Sequence, residues 1–422
     1  MSIQTKFTQR SILIIEPMGA GGELLLKAVK EGGFKSIVAT TEEVYSNYLQ
    51  HLTDLIDIVV FVDFSEGPSA VNCLVAKGKE YTVSGVVVAW EFLTDVAAEV
   101  AYELNLPGPD VALAKARRNK FVMQEVLGDA GCRIPKLIAK LSRGNQLTEL
   151  HHEELNYPVV VKPAENAASF GVSVVSNYCD FPMAIKNAGQ WTHEYPHGIP
   201  FSDEILVQEY IPGNEFSVEA VSINGKFCPW GVTMKFTTTG SARAETGHIF
   251  PAPIPKDLQQ KILSLAEKAT RALGVSNGIS HTEIKLDKNG EPTVLESCPR
   301  PAGDYIPKLV ALATNENPLL VYVKQSAGCL DVNFSPARPI RYVGISFLRP
   351  NKEGTLKKVT MCNKLTSGEI LESRVTVNYE ALVSPGSTNI ERIGWAIMAS
   401  NESSGITVAM DEFIANTEVC IA

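Results

Sequence analysis

An Asn-Gly pair at residues 289 and 290 separates two strand-like runs, His281 to Asp287 and Glu291 to Arg300, and it restricts this stretch more tightly than any other signal in the chain. Both central residues of a type I′ turn need positive φ, which asparagine and glycine tolerate, so the pair predicts a β-hairpin with a two-residue loop. Counting outward, Lys288 faces Glu291, and Glu283 faces Glu296 on one side of the ribbon. The period of two aligns His281, Cys298 and Arg300 with that pair, while Thr282, Ile284, Leu286, Thr293 and Leu295 point toward a core. Directly opposed like charges destabilise a strand pair. A divalent cation between the glutamates removes the repulsion, and hard carboxylate oxygens suit Mg2+, which is held by one or two carboxylates together with substrate phosphates. A merely solvated hairpin face is the plainer alternative.

At 422 residues the chain is too long for one ordinary core, and two or three domains are expected. Its net charge of −9, without a long Lys/Arg run, argues against a nucleic-acid partner. The longest apolar stretch, near Ile56 to Val62, falls far short of the roughly 20 residues that cross a bilayer. Ser11 to Ile15 is cut off by Glu16 and is too short for a signal-peptide core. The expectation is a cytoplasmic protein with no membrane partner. Eight cysteines without a CxxC pair fit reduced thiols better than a disulfide frame or a closed zinc site.

Over the first hundred or so residues, short apolar runs alternate with helical patterns, the signature of a doubly wound parallel sheet in an α/β fold. Pro17 to Gly22 is a glycine-rich turn between the first strand and helix, but Leu24 stands where a dinucleotide fingerprint requires glycine. Tight turn geometry accounts for it. Leu106-Pro-Gly-Pro-Asp110 reads as a linker. A helix is expected over Val111 to Gly131, a hairpin-like pair at Phe216 to Val221 and Lys226 to Val232, and a long amphipathic helix after Pro255. From about Arg338 the chain reads as short strands, ending in a helix with Ile406, Met410, Phe413 and Ile414 on one side.

Tyr157 to Pro163 is an apolar strand carrying Lys162, and such a strand rarely holds a lysine unless the ammonium has an anionic partner. The small residues from Ala164 to Ser173 follow, whose amides and hydroxyls can close over phosphate oxygens. Asn119-Lys120 opens a helix, where the lysine could equally be solvated. Gln208 to Ile211, followed by Glu215, can meet a base edge and a ribose.

In this order the segments resemble the ATP-grasp superfamily, and the resemblance covers most of the chain. It implies Lys120 and Lys162 on ATP phosphates, and Ser169, Phe170 and Gly171 in the phosphate loop. Gln208, Glu209, Tyr210 and Ile211 would meet adenine, Glu215 the ribose, and Glu283 and Glu296 two magnesium ions. Within the superfamily the chain is most similar to the L-amino acid ligases, through Leu106-Pro-Gly, Glu245-Thr-Gly247-His248, His281-Thr-Glu283, Arg300-Pro-Ala-Gly303-Asp304 and the stretch from Gly344. The resemblance implies an N-terminal pre-ATP-grasp domain over 1–112, an ATP-grasp domain over 113–335 and a β-rich lid over 336–422. Two amino acids would be joined through an acyl phosphate, with a homodimer as one open assembly.

Arg300 is expected to stabilise the oxyanion. His281 is expected to support it or to deprotonate the amine, unless it is satisfied structurally. Glu245, Gly247, His248, Gly303 and Asp304 are expected near the amino-acid substrates, with helix capping the plainer use of Asp304. One departure from the superfamily is Cys298, where an asparagine usually stands; a neutral thiol is a poor Mg2+ ligand. Rival readings are a carboxylase or purine-pathway ligase of the same fold, and a zinc hydrolase using His281, Glu283, Glu296 and Cys298. A dinucleotide-dependent oxidoreductase lacks its third glycine.

Overall fold

The computed structural model describes residues 10–144, 151–240, 243–386 and 388–422. Four parallel strands, β1 (Ser11–Ile15), β2 (Lys35–Thr40), β3 (Ile58–Phe61) and β4 (Val83–Val88), form the N-terminal sheet in the order β3-β2-β1-β4. Every residue of β1 is buried, as a strand covered on both faces requires. Ile12 and Ile14 enter one core and Leu13 and Ile15 another, so the sheet is doubly wound as expected. Each such side chain contributes about 1.5–3 kcal/mol by leaving water. In the glycine-rich turn, a Cβ on Gly22 would lie 1.9 Å from the Pro17 carbonyl oxygen, so that glycine serves the turn itself.

The helix expected over Val111 to Gly131 is broken at Asn119 into Ala114–Arg118 and Lys120–Asp129. Asn119 is extended (φ −91°, ψ 114°), and its side-chain oxygen accepts from the N–H groups of Phe121 and Val122, capping the second helix. That break places Lys120 at a helix start. Strands β5 (Leu137–Ser142), β6 (Val159–Pro163), β7 (Ser173–Val175) and β8 (Glu204–Glu209) then build a small antiparallel sheet, β5-β8-β6-β7, packed on helix Phe181–Gly189.

The remaining strands are β9 (Glu215–Ile223), β10 (Lys226–Thr237), β11 (Glu245–Phe250), β12 (Gly278–Leu286), β13 (Pro292–Cys298), β14 (Tyr342–Leu348), β15 (Gly354–Thr360), β16 (Glu369–Val375), β17 (Leu382–Val383), β18 (Gly394–Ser400) and β19 (Glu418–Ile421). Eight of them form one antiparallel sheet, β13-β12-β9-β10-β11-β14-β18-β16, so part of the C-terminal stretch extends the central sheet. Helix Lys256–Ala272 covers one face with Ile262, Ala266 and Ala269. The chain ends on β19, after helix Ser403–Asn416. Ile414 is 47% exposed, because it lies about 80° round that helix from Ile406 and off the buried stripe of Ile406, Met410 and Phe413. Among the described residues no helix is long and apolar enough to cross a membrane.

Candidate active site

The hairpin reaches its expected pairing by an unexpected route. The Gly290 N–H donates to the Asp287 carbonyl and the Asp287 N–H to the Glu291 carbonyl, at 3.0 and 2.9 Å. Only Gly290 has positive φ (77°), so the loop has three residues, a type I turn closed by a left-handed glycine, and Lys288 does not face Glu291. Ile284 consequently pairs with Val294 and Lys285 with Thr293, until a bulge at Leu295 restores the register. Glu283 then faces Glu296 and His281 faces Cys298. Val294 takes the core position expected of Leu295, and Leu295 lines a cleft instead. Thr293 sits beside Lys285, which also lines the cleft.

That cleft, with an empty volume of about 1190 Å³, lies between the central sheet and the small sheet. From the central-sheet side it is lined by Glu215, Glu245, His281, Glu283, Glu296 and Arg300. Opposite them stand Lys162, Ser169, Phe170 and the run from Gln208 to Ile211, with Lys120 between the banks. Gly171 turns away from the cleft, and a Cβ there would lie 3.2 Å from the Ala188 backbone. Gly247, His248, Gly303 and Asp304 also stand outside the cleft wall. Gly247 faces a second cavity beside Met410, on the other side of β11. His248 is fully buried, 3.5 Å from Asp304 and 3.9 Å from Glu245. Asp304 does not cap the next helix, whose start is set by left-handed Tyr305; its two oxygens each accept from Arg392 at 2.7 Å. Residues 241–242, between β10 and β11, lie outside the described residues.

Each of the opposed glutamates has a lysine neighbour within the protein. Lys235 of β10, which the sequence reading passed over, pairs with Glu283 and lies 2.8 Å from Glu245 and 3.3 Å from Glu215. Lys120 lies 3.1 Å from Glu296 and donates to the Asn166 carbonyl at 2.6 Å. Burial alone would lower Lys120, but Glu296 and Glu91 override it and hold the ammonium above its ordinary range. For Glu283, burial is overcome by Lys235 and His281, which keep the carboxylate well below its usual range. Glu296 is raised, since burial together with Glu91 and Glu283 outweighs Lys120.

Lys162 differs. It is 8% exposed, and its ammonium makes no ion pair or hydrogen bond among the described residues. Burial and the nearby Lys120 pull its ammonium down to about 8. Glu296 and Glu283 offset this only in part, and among the described residues no side chain pairs with the ammonium as expected for a lysine in an apolar strand.

Two further residues were illegible in sequence. Glu91, just beyond β4, takes Nε and Nη2 of Arg300, and Arg300 Nη1 donates to the Pro301 carbonyl at 2.9 Å. Glu219 lies 3.0 Å from His281 Nδ1, while His281 Nε2 is 3.3 Å from Glu283. Burial opposes the charge on His281, but these two glutamates raise its proton affinity. Burial and Glu91 raise Cys298, which stays a neutral thiol.

The groups of metal-competent side chains among the described residues are Glu91 with Glu296 and Cys298, Glu215 with Glu245 and Glu283, and Glu245 with His248 and Asp304. No group gathers His281, Glu283, Glu296 and Cys298, so the zinc reading lacks its ligand set. Two cleft-lining carboxylates with room for phosphate oxygens do fit Mg2+.

The sequence model of the ATP-grasp domain matches residues 155–308. The alanine–anticapsin ligase of Bacillus amyloliquefaciens is 26% identical over 249 residues, 54% of this chain and 51% of that protein. The chain thus spans about half the length of that relative. A D-alanine–D-alanine ligase of Geobacter sulfurreducens is 26% identical over 310 residues, 71% of this chain and 84% of that protein. The crystal structure of an L-amino acid ligase from Bacillus licheniformis superposes with a TM-score of 0.79 at 20% identity, over 98% of this chain and 99% of that one.

Proposed function

On the premise that this is an ATP-grasp chain, we propose that it is an ATP-dependent ligase joining the carboxylate of one amino acid to the amine of another, with release of ADP and phosphate. The single observation that carries the reading is Lys162, a buried ammonium with no ion-pair or hydrogen-bond partner among the described residues, facing a wall of carboxylates. A nucleotide's phosphates supply the anion that Lys162 lacks. Mg2+ held by Glu283 and Glu296 would supply the charge that lets those phosphates approach the acidic wall.

A carboxylate is a poor acylating agent because its leaving group would be oxide. Its oxygen attacks the γ-phosphorus, giving an acyl phosphate and ADP; the second amine then displaces phosphate through a tetrahedral intermediate. Lys120 and Lys162 stabilise charge on the phosphoryl oxygens in the first step. Of the five N–H donors of Arg300, three are taken by Glu91 and Pro301, leaving one on each terminal nitrogen to grip a carboxylate or an oxyanion. His281 has a carboxylate at each ring nitrogen, Glu219 at Nδ1 and Glu283 at Nε2, so it orients Glu283 on the metal-binding wall and can donate to an oxyanion only once Glu283 turns from Nε2 toward a cation. Glu245 is the cleft carboxylate offered to a substrate ammonium, and the loop with Ser169 and Phe170 keeps water from the acyl phosphate.

The test is ADP and phosphate release by the purified protein with Mg-ATP and a matrix of amino-acid pairs. Release that requires two amino acids together is the expected result. No ADP with any pair, alongside metal-dependent hydrolysis without nucleotide, would overturn the reading.

A further inference from the structure

The carboxyl ends of all four parallel strands converge on one side chain from a different part of the molecule. His197 lies in the turn between helix Phe181–Gly189 and β8, and so belongs to the small sheet's connections. Its Nε2 is 2.7 Å from Glu16, the residue after β1, and Thr40 at the end of β2 donates to the same Glu16 oxygen at 2.9 Å. Its Nδ1 is 3.0 Å from Glu194, which also accepts from the Trp90 indole N–H beyond β4, at 2.7 Å. Phe64, beyond β3, and Trp90 close over the imidazole edge-on. Open α/β sheets bind ligands in this crevice, at the carboxyl ends of the strands where the strand order reverses. Here the occupant is a loop of the same chain.

The contact carries signs of a built site. Glu16 is fully buried, holds a left-handed φ of 45° and leaves one carboxylate oxygen without a hydrogen-bond partner. A non-glycine residue stays in that region only where its surroundings enforce it. Both imidazole nitrogens face carboxylates, which requires both to be donors and the ring to be charged. Burial opposes that charge, but Glu16 and Glu194 lift the His197 proton affinity to about 9. Ile199 and Phe201 of the same turn pack into the N-terminal core, as does Ala167 of the phosphate-loop segment.

We propose that the turn carrying Glu194 and His197 is a latch that fastens the small sheet to the N-terminal sheet, and that release of His197 from Glu16 opens the cleft. Its link to nucleotide exchange rests on the ATP reading; the latch itself does not. The test is amide hydrogen exchange on the full-length, nucleotide-free protein and its His197→Gln and Glu16→Gln variants. Exchange over residues 192–201 and 164–171 is expected to rise at least about tenfold, with the central sheet unchanged. Unchanged protection in both variants, or loss spread across the whole N-terminal sheet, would overturn the latch. Glu194→Gln keeps an acceptor for Trp90 and loses only the charge, so it is expected to give a smaller rise in the same two segments; a wild-type pattern there would also count against the charged latch. Stopped-flow release of Mg-ADP then decides the second half: faster release from His197→Gln supports it, and wild-type release from an opened variant refutes it. If Mg-ADP binds none of the proteins while exchange rises as expected, the ATP reading falls and the latch stands.

Discussion

The two walls of the cleft follow opposite electrostatic rules. On the central-sheet wall, charges are matched inside the protein: Lys235 with Glu215, Glu245 and Glu283, His281 with Glu219 and Glu283, and Arg300 with Glu91. On the small-sheet wall, Lys162 is equally buried and has no such match among the described residues. A wall matched in advance holds its geometry without ligand, as preorganised catalysis requires. A wall left unmatched is costly until an anion arrives. On the proposed function, the difference separates the residues that would orient the chemistry from the residue that would sense the nucleotide.

The largest effect should come from dismantling the matched wall. Glu296→Ala is expected to lower kcat/KM by at least about 10³-fold in the ADP-release assay while leaving the far-ultraviolet circular dichroism unchanged. Wild-type turnover would remove Glu296 from the metal assignment.

Next comes the stability of the unmatched wall. Without ligand, Lys162→Met should stabilise the protein at pH 7 by about 1–3 kcal/mol, because it removes a buried charge with no partner. The folded Lys162 loses its proton near pH 8 while the unfolded one keeps it to about 10.4, so wild-type stability gains from this group as pH rises between those values. The melting difference between variant and wild type should therefore shrink as pH climbs toward 10. A variant less stable than wild type at pH 7 would mean that Lys162 has found an anion within the protein.

The latch gives the opposite sign. His197 is raised from its usual 6.5 to about 9, so its stabilisation is complete below the lower value and fades as pH rises through the upper one. Scanning calorimetry should show the cost of His197→Gln at pH 6 largely gone at pH 10. A cost independent of pH would assign His197 to packing alone.

The smallest effect concerns Cys298. Supplying an amide oxygen in place of the neutral thiol, Cys298→Asn should lower the Mg2+ concentration for half-maximal activity by a few-fold, about 0.5–1 kcal/mol. An unchanged or higher requirement would place the metal away from position 298.

The sequence disclosed one side of this comparison better than the other. The opposition of Glu283 and Glu296 was legible because the period of two survives local errors: the three-residue loop shifts the register by one and the bulge at Leu295 shifts it back. The parallel sheet was legible because its strands are apolar on both faces. Lys162 was legible because a lysine breaks that pattern. Lys235, Glu91 and Glu219 were not, since each is an ordinary polar residue in an ordinary strand or turn until its distant partner is known. Arg300 meets Glu91 across 209 positions and His281 meets Glu219 across 62. His248 and Asp304 stand behind Glu245 and not on the cleft wall itself, a depth that the order of motifs in a sequence does not disclose.

The most direct test of the account is calorimetric titration of Mg-ADP into the wild type and Lys162→Met at pH 8, in buffers of different ionisation enthalpy. The account expects the wild type to take up a fraction of a proton on binding, as Lys162 recovers its charge beside phosphate. It expects the variant to bind about 10–100-fold more weakly with that uptake gone. Equal affinity and equal proton uptake in the two proteins would contradict it.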